Sequence, residues 1–188
     1  CGKKGSSGSS APTPVPTAGW IKLTNSNTPP SIRANVGAST ATGTTVMFFG
    51  GTDILNYFDE LWQYTPTFIS NSGSWTKLIP VSAPSPRAGG TLTYDSVNTR
   101  WLLLGGTDAT IAYNELWELK ESTPGNWVWT KLNPTNGTQI PLIFNQTTHF
   151  ITDERRIISF GGEDASSVFN DVHAVDFTSI TDGVYAKL

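Results

Sequence analysis

Residues 101–117 read Trp-Leu-Leu-Leu-Gly-Gly-Thr-Asp-Ala-Thr-Ile-Ala-Tyr-Asn-Glu-Leu-Trp, and residues 46–62 read Val-Met-Phe-Phe-Gly-Gly-Thr-Asp-Ile-Leu-Asn-Tyr-Phe-Asp-Glu-Leu-Trp. In both, an apolar run of four closes on Gly-Gly, an Asp follows two residues later and a Trp eleven residues later. The unit returns at Gly161-Gly162, Asp164 and His173, so it recurs every 55 or 56 residues. A second marker keeps the same phase: Trp20-Ile21-Lys22-Leu23, Trp75-Thr76-Lys77-Leu78, Trp129-Thr130-Lys131-Leu132 and Tyr185-Ala186-Lys187-Leu188. Two independent markers at one spacing define a repeat architecture in which each period is one supersecondary unit.

Each unit holds four short extended segments. The runs 46–49, 101–104 and 157–160 are continuously apolar, or nearly so, and short, as expected of middle strands buried on both faces. Before each lies a segment of small and hydroxylated residues, 37–41, 90–94 and 147–151, which suits innermost strands crowded near an axis. Third strands are expected at 59–62, 114–117 and 170–173, and the Trp-x-Lys-Leu segments form outer strands whose Lys discourages edge-to-edge pairing. Pro and Gly punctuate the junctions, and no segment keeps a helical period. Four antiparallel strands per unit, repeated, predict the blades of an all-β propeller. Composition agrees: of 188 residues 37% are hydrophobic, seven are Trp, and only 14% are charged against roughly 25% in ordinary globular domains.

The recurring residues have structural work to do. Paired glycines supply positive φ where inner strands crowd, each following Asp can accept loop amides in an Asx-turn, and each Trp buries a large face between blades. A residue repeated in every unit belongs to the scaffold first, since function breaks repeat symmetry.

Gly-Gly after an apolar strand, Asn-Glu-Leu-Trp at 114–117, then Trp-x-Lys-Leu followed by Pro86-Arg87, resembles the kelch repeat over residues 20–188. The third unit departs from the pattern: His173 replaces Trp, and Pro141-Leu142 stand about where Arg87 stands in the unit before. Arg33 fills the Arg position of the first unit with Ile32 before it. The resemblance implies a kelch-type β-propeller with repeat units of about 20–75, 75–129 and 129–185. It also implies a binding surface on the loops at one end, here 52–58, 107–113 and 163–169 with 79–87 and 133–141. In those loops Ile54, Leu55, Tyr57, Ile111 and Tyr113 offer contact groups, and they differ between units while the strands match.

Kelch-like propellers also include enzymes. Galactose oxidase builds its copper site with a Cys crosslinked to a Tyr, and the single Cys here is residue 1, which excludes that chemistry for this chain. A bacterial sialic-acid epimerase resembles these repeats as well, so a carbohydrate-modifying enzyme is the catalytic alternative. It would need an Arg, Glu or His aimed into the channel in one unit only, for which Arg33 and Arg87 are the nearest candidates. No metal site is readable from His149 and His173, because no ligand cluster accompanies them. No phosphate loop or nucleophile elbow appears, and no cofactor is expected. A net charge of −3 gives no basic footprint for nucleic acid, and no apolar run is long enough to cross a bilayer.

Residues 1–19 open Cys-Gly-Lys-Lys-Gly-Ser-Ser-Gly-Ser-Ser and continue through a Pro/Thr/Ala stretch, the composition of a flexible tether. A chain opening at Cys1 before such a tether resembles a mature bacterial lipoprotein. The resemblance implies acylation of Cys1 by a diacylglyceryl group and an amide-linked chain such as palmitate. Gly2 in place of Asp leans toward the outer membrane or cell surface. The expected partners are therefore a membrane and a protein or glycan ligand, with a purely structural envelope role as the third possibility.

The count of blades is three, with one extra outer strand at residues 20–23. Propellers close with roughly four to eight blades. Three outcomes follow: the repeats continue past Leu188 in a larger propeller, two arcs associate into one ring, or the arc stays open with apolar faces exposed.

Overall fold

The computed structural model describes residues 19–41, 43, 45–134, 140–178 and 183–187. Strands β1 (Thr24–Asn25), β2 (Gly37–Thr40), β3 (Val46–Phe49), β4 (Leu61–Thr67) and β5 (Ser72–Leu78) form the first sheet, with a 3-10 turn at Phe68–Ser70. The second sheet holds β6 (Thr91–Asp95), β7 (Arg100–Leu104), β8 (Leu116–Thr123) and β9 (Asn126–Leu132). The third holds β10 (Thr147–Ile151), β11 (Arg156–Phe160), β12 (Val172–Asp176) and β13 (Val184–Lys187). Within each sheet the strands run in sequence order, antiparallel, apart from β1. These are three propeller blades, with β2, β6 and β10 side by side as the inner strands.

Third strands begin later than the sequence suggests. Pairing starts at Phe49↔Leu61, Leu104↔Leu116 and Phe160↔Val172. The two residues before each start lead in from the loop: the carbonyls of Glu60, Glu115 and Asp171 accept from the amides of Gly50, Gly105 and Gly161. Residues 20–23 are not a strand, which corrects the expected position of the extra outer strand. That strand is β1, and it lies parallel to β5 on the outer edge of the first blade through Thr24↔Ser72 and Asn25↔Gly73. The physical reason repeats one blade on, where Val81, three residues after β5, bridges in parallel to Val128 of β9. Each outer strand thus hands the chain to the outer edge of the next blade, and Trp20 and Ile21 stand exposed ahead of that handover.

Between the first and second blades, Met47, Phe49 and Leu61 pack against Leu103, Leu119 and Trp129. Between the second and third, Leu102, Leu104 and Leu116 pack against Ile157, Phe150 and Val175. Each such side chain contributes on the order of 1.5–3 kcal/mol when fully buried. β7 is buried at every position, as its unbroken apolar run requires. In β3 and β11 only alternate residues are fully buried, because one face of each end blade lacks a neighbouring blade.

The inner rim is stitched by backbone. Gly89 N–H donates to the Asn35 carbonyl and Asn145 N–H to the Gly89 carbonyl, and all three residues hold positive φ. Close approach there is real: a Cβ on Gly37 would sit 2.9 Å from the Gly90 carbonyl oxygen.

Candidate functional site

The paired glycines carry φ between 67° and 105° in all three blades, as the crowding argument requires. They turn the chain into loops 52–58, 107–113 and 163–169, which lie at one end of the blades. Each loop is closed by its Asp. Asp53 Oδ1 accepts from Leu55 N–H and Asn56 N–H, Asp108 Oδ1 from Thr110 and Ile111, and Asp164 Oδ1 from Ser166 and Ser167. These amides hold each carboxyl below its ordinary value. The three acids serve the turns in all three blades.

Behind the loops lies a repeated ionic knot. Arg87 donates to Glu115 Oε2 at 2.7 Å and to the Gly105 carbonyl at 3.2 Å, and its guanidinium lies 3.9 Å from the Tyr113 ring centroid. Lys131 and Trp117 complete the set on Glu115. Arg33, Glu60, Phe58, Lys77 and Trp62 reproduce it one blade earlier. Burial works against the charge on Glu60 and Glu115. Hydrogen bonds from Lys77, Arg33 and Trp62, and from Lys131, Trp117 and Arg87, outweigh it and hold both carboxyls at about 2. Arg87 is only 1% exposed and the Arg33 side chain 8%, and both guanidinium groups are engaged by these contacts within the blades. In the third blade the corresponding residue is Ile143, whose carbonyl accepts from Gly106 N–H as the Arg87 carbonyl accepts from Gly51. This moves the replacement one residue beyond Pro141-Leu142. The Lys187–Asp171 pair is kept there, at 2.7 Å. His173 takes the Trp position, and burial depresses its basicity.

The loop contact groups separate into three kinds. Tyr113 is 8% exposed and its hydroxyl donates to Asp108 Oδ2. That corrects its reading as a surface contact, because Arg87 stacked over the ring pulls it inward. Ile54 is 95% exposed with φ 87°, a left-handed conformation that a β-branched side chain adopts only under strain. Tyr57 and Ile111 come together. With Thr107, Thr110, Phe144 and Ala165 they line a cleft of about 220 Å³ to which all three blades contribute. Phe144 was missed in the sequence because it lies outside the repeated loops, at the entry to the third blade. Of the connecting loops, Ile79 and Val81 are exposed, and residues 135–139 of the other lie outside the described residues.

A second concavity follows the inner strands. It is a groove of about 420 Å³ lined by residues of β2, β6 and β10, among them Ser39, Thr93, Tyr94 and His149. Strand pairing aligns His149 with Thr93 and Ser39, since each is the third residue of its inner strand. The imidazole is therefore present in one blade only. Among the described residues no group of three or more His, Cys, Asp or Glu could hold a metal ion. Cys1 and the tether lie outside the described residues, Gly19 excepted.

No protein-family model matches the sequence, and no curated protein matches it. Solved structures do. The structure of YjhT superposes with a TM-score of 0.61 at 15% identity, over 82% of this chain and 45% of that one. This chain thus spans under half the length of that neighbour, and the likeness is one of fold. Together with the blade order and register, it shows the described residues to be three consecutive four-stranded β-propeller blades with an extra outer strand.

Proposed function

We propose that the chain is a ligand-binding module that takes a glycan at the loop end of its blades and is held at a bacterial envelope by acylated Cys1. The observation that carries the reading is the cleft shared by Tyr57, Ile111 and Phe144. Aromatic and apolar side chains there sit beside Thr110 and Thr107, the latter with its hydroxyl bonded to the Ile111 carbonyl, and a sugar ring offers a similar mixture of apolar face and polar rim. Rigid strands position the cleft, and the loops that form it are the parts that vary between blades. Titration of a glycan panel by calorimetry is expected to yield a ligand whose affinity falls at least tenfold in Tyr57→Ala. Binding of a protein but no glycan would replace the ligand class, and binding untouched by Tyr57→Ala or Ile111→Asp would remove the cleft from the reading.

The anchor rests on the tether composition and the Cys at position 1. Mass spectrometry of the native N-terminus should find a diacylglyceryl group and an amide-linked acyl chain on Cys1; an unmodified residue defeats it.

One observation favours a second reading, a carbohydrate-modifying enzyme of the sialic-acid epimerase type. His149 breaks the symmetry of the inner strands and faces the groove. Turnover of a reducing sugar that His149→Ala abolishes, with the fold intact, would establish catalysis and displace the binding-only reading.

A further inference from the structure

We propose that the loop-end cleft sorts sugars by charge: it takes amino sugars first and uncharged sugars next, and it turns away uronic and sialic acids. This rests on the reading of the Tyr57, Ile111 and Phe144 cleft as the glycan site and names the class of sugar it accepts. The three loops 52–58, 107–113 and 163–169 contain Asp53, Asp108, Glu163 and Asp164 and no Lys, Arg or His. Residues 79–86 and 133–146, which lead into the second and third blades, also hold no basic side chain.

The acids adjoin the cleft. Asp108 stands between the lining residues Thr107 and Ala109, Asp164 precedes the lining residue Ala165, and Glu163 bridges through its backbone to the lining residue Phe144. Asp53 shares the loop of Tyr57. All four are half-buried rather than covered. The loop amides that hold Asp53, Asp108 and Asp164 below the ordinary carboxylate value keep these three ionised at neutral pH. Glu163 Oε1 accepts the side-chain amide of Asn145 at 2.7 Å. Such neutral donors fix a carboxylate in place without cancelling its charge.

The cations behind the loops are already matched. Arg33 and Lys77 pair with Glu60, and Arg87 and Lys131 with Glu115. Both lysines stand on the outer strands β5 and β9. A site built for a carboxylated sugar holds it with an Arg fork or a Lys, and neither lines this cleft among the described residues. A sugar carboxylate entering here therefore meets like charge without a counter-ion, whereas an ammonium group meets carboxylates.

Ligand-observed NMR titrations of the full chain test this with matched gluco, galacto and manno series. Each series holds the 2-amino sugar, the parent hexose and the uronic acid, at a pH where the amine is protonated. Within a series that binds, affinity is expected to fall from amino sugar to hexose to uronic acid, by at least about tenfold overall at low salt. The gap should shrink at about 1 M salt, where the screening length falls to roughly 3 Å. It should also narrow at least about threefold in Glu163→Gln with Asp164→Asn. Both replacements keep the oxygen that accepts the local amides, and circular dichroism checks that the variant folds. A uronic acid bound as tightly as its amino sugar, or a gap indifferent to salt or to the double variant, would overturn the charge inference. Loss of binding in Tyr57→Ala would then leave the cleft itself standing. Failure of every series to bind, or binding indifferent to Tyr57→Ala, would remove the cleft and this inference with it.

Discussion

Arg100 Nε lies 2.7 Å from Asp95 Oδ2 at the foot of the second blade, and both side chains are shut off from solvent. Asp95 also accepts the amides of Val97 and Asn98, which form the turn between β6 and β7. Arg100 reaches Glu118 at 2.6 Å and lies over the Phe177 ring of the third blade. One guanidinium therefore ties a turn, a neighbouring strand and the next blade.

Removing one member of a fully buried pair strands the other charge, which costs about 3–5 kcal/mol. Arg100→Ala, which leaves the Asp95 carboxylate buried without its cation, is expected to lower the stability read from urea unfolding by that order. Arg156 holds the matching position in the third blade and pairs with Asp176 and Glu154 while 41% exposed. Arg156→Ala should cost below roughly 1 kcal/mol. Equal losses in the two variants would refute the burial argument.

Acid should act through the two ionic knots. Glu60 and Glu115 fall from an ordinary 4.5 to about 2 in the folded chain. A carboxylate depressed by folding contributes stability that is complete above its unfolded value and is lost as pH falls toward its folded one. Stability should decline between about pH 4.5 and 2, and Glu60→Gln with Glu115→Gln should flatten that slope while lowering stability at neutral pH. An unchanged slope in the double variant, measured by urea unfolding across this range, would remove the knots as its source.

The blade fold was legible because its signals are repeated and local. Gly50-Gly51 needs positive φ, Asp53 needs amides two and three residues on, and the period fixes the strand order. What could not be read depends on contacts between units. Arg87 and Tyr113 look like free loop groups until the guanidinium stacks on the ring and turns both inward. Phe144 joins the cleft only because the third blade brings it beside Ile111 of the second. The position of the extra strand was missed for a related reason: parallel pairing with the next blade is set by handover geometry, which leaves no periodic mark at Thr24.

Ile54 carries backbone strain in its loop. Its φ of 87° in an exposed position costs of the order of 1–3 kcal/mol for a branched side chain. The equivalent residue of the second blade, Ala109, shares the conformation at φ 70° with far less side chain to accommodate. Ile54→Gly should raise stability by about 1 kcal/mol, after the greater chain entropy of glycine is subtracted. A loss of stability, read from thermal unfolding, would mean that the isoleucine makes contacts that outweigh its backbone strain.

Glycine positions with the same backbone should differ by what surrounds them. Gly50 and Gly125 have φ of 75° and 81°, so an added methyl group strains both by roughly 1–2 kcal/mol. Around Gly125 nothing lies within 4 Å of that methyl group, whereas at Gly50 the Arg87 carbonyl oxygen would be 2.3 Å away. That carbonyl accepts the Gly51 amide, one of the bonds that fasten the first blade to the second. It cannot retreat without opening the inter-blade joint. Gly125→Ala is expected to stay within the backbone cost, and Gly50→Ala to exceed it by at least about 2 kcal/mol. Faster hydrogen exchange should appear in Gly50→Ala at Gly51, Arg87 and Gly89, amides that cross this joint, and at none of them in Gly125→Ala.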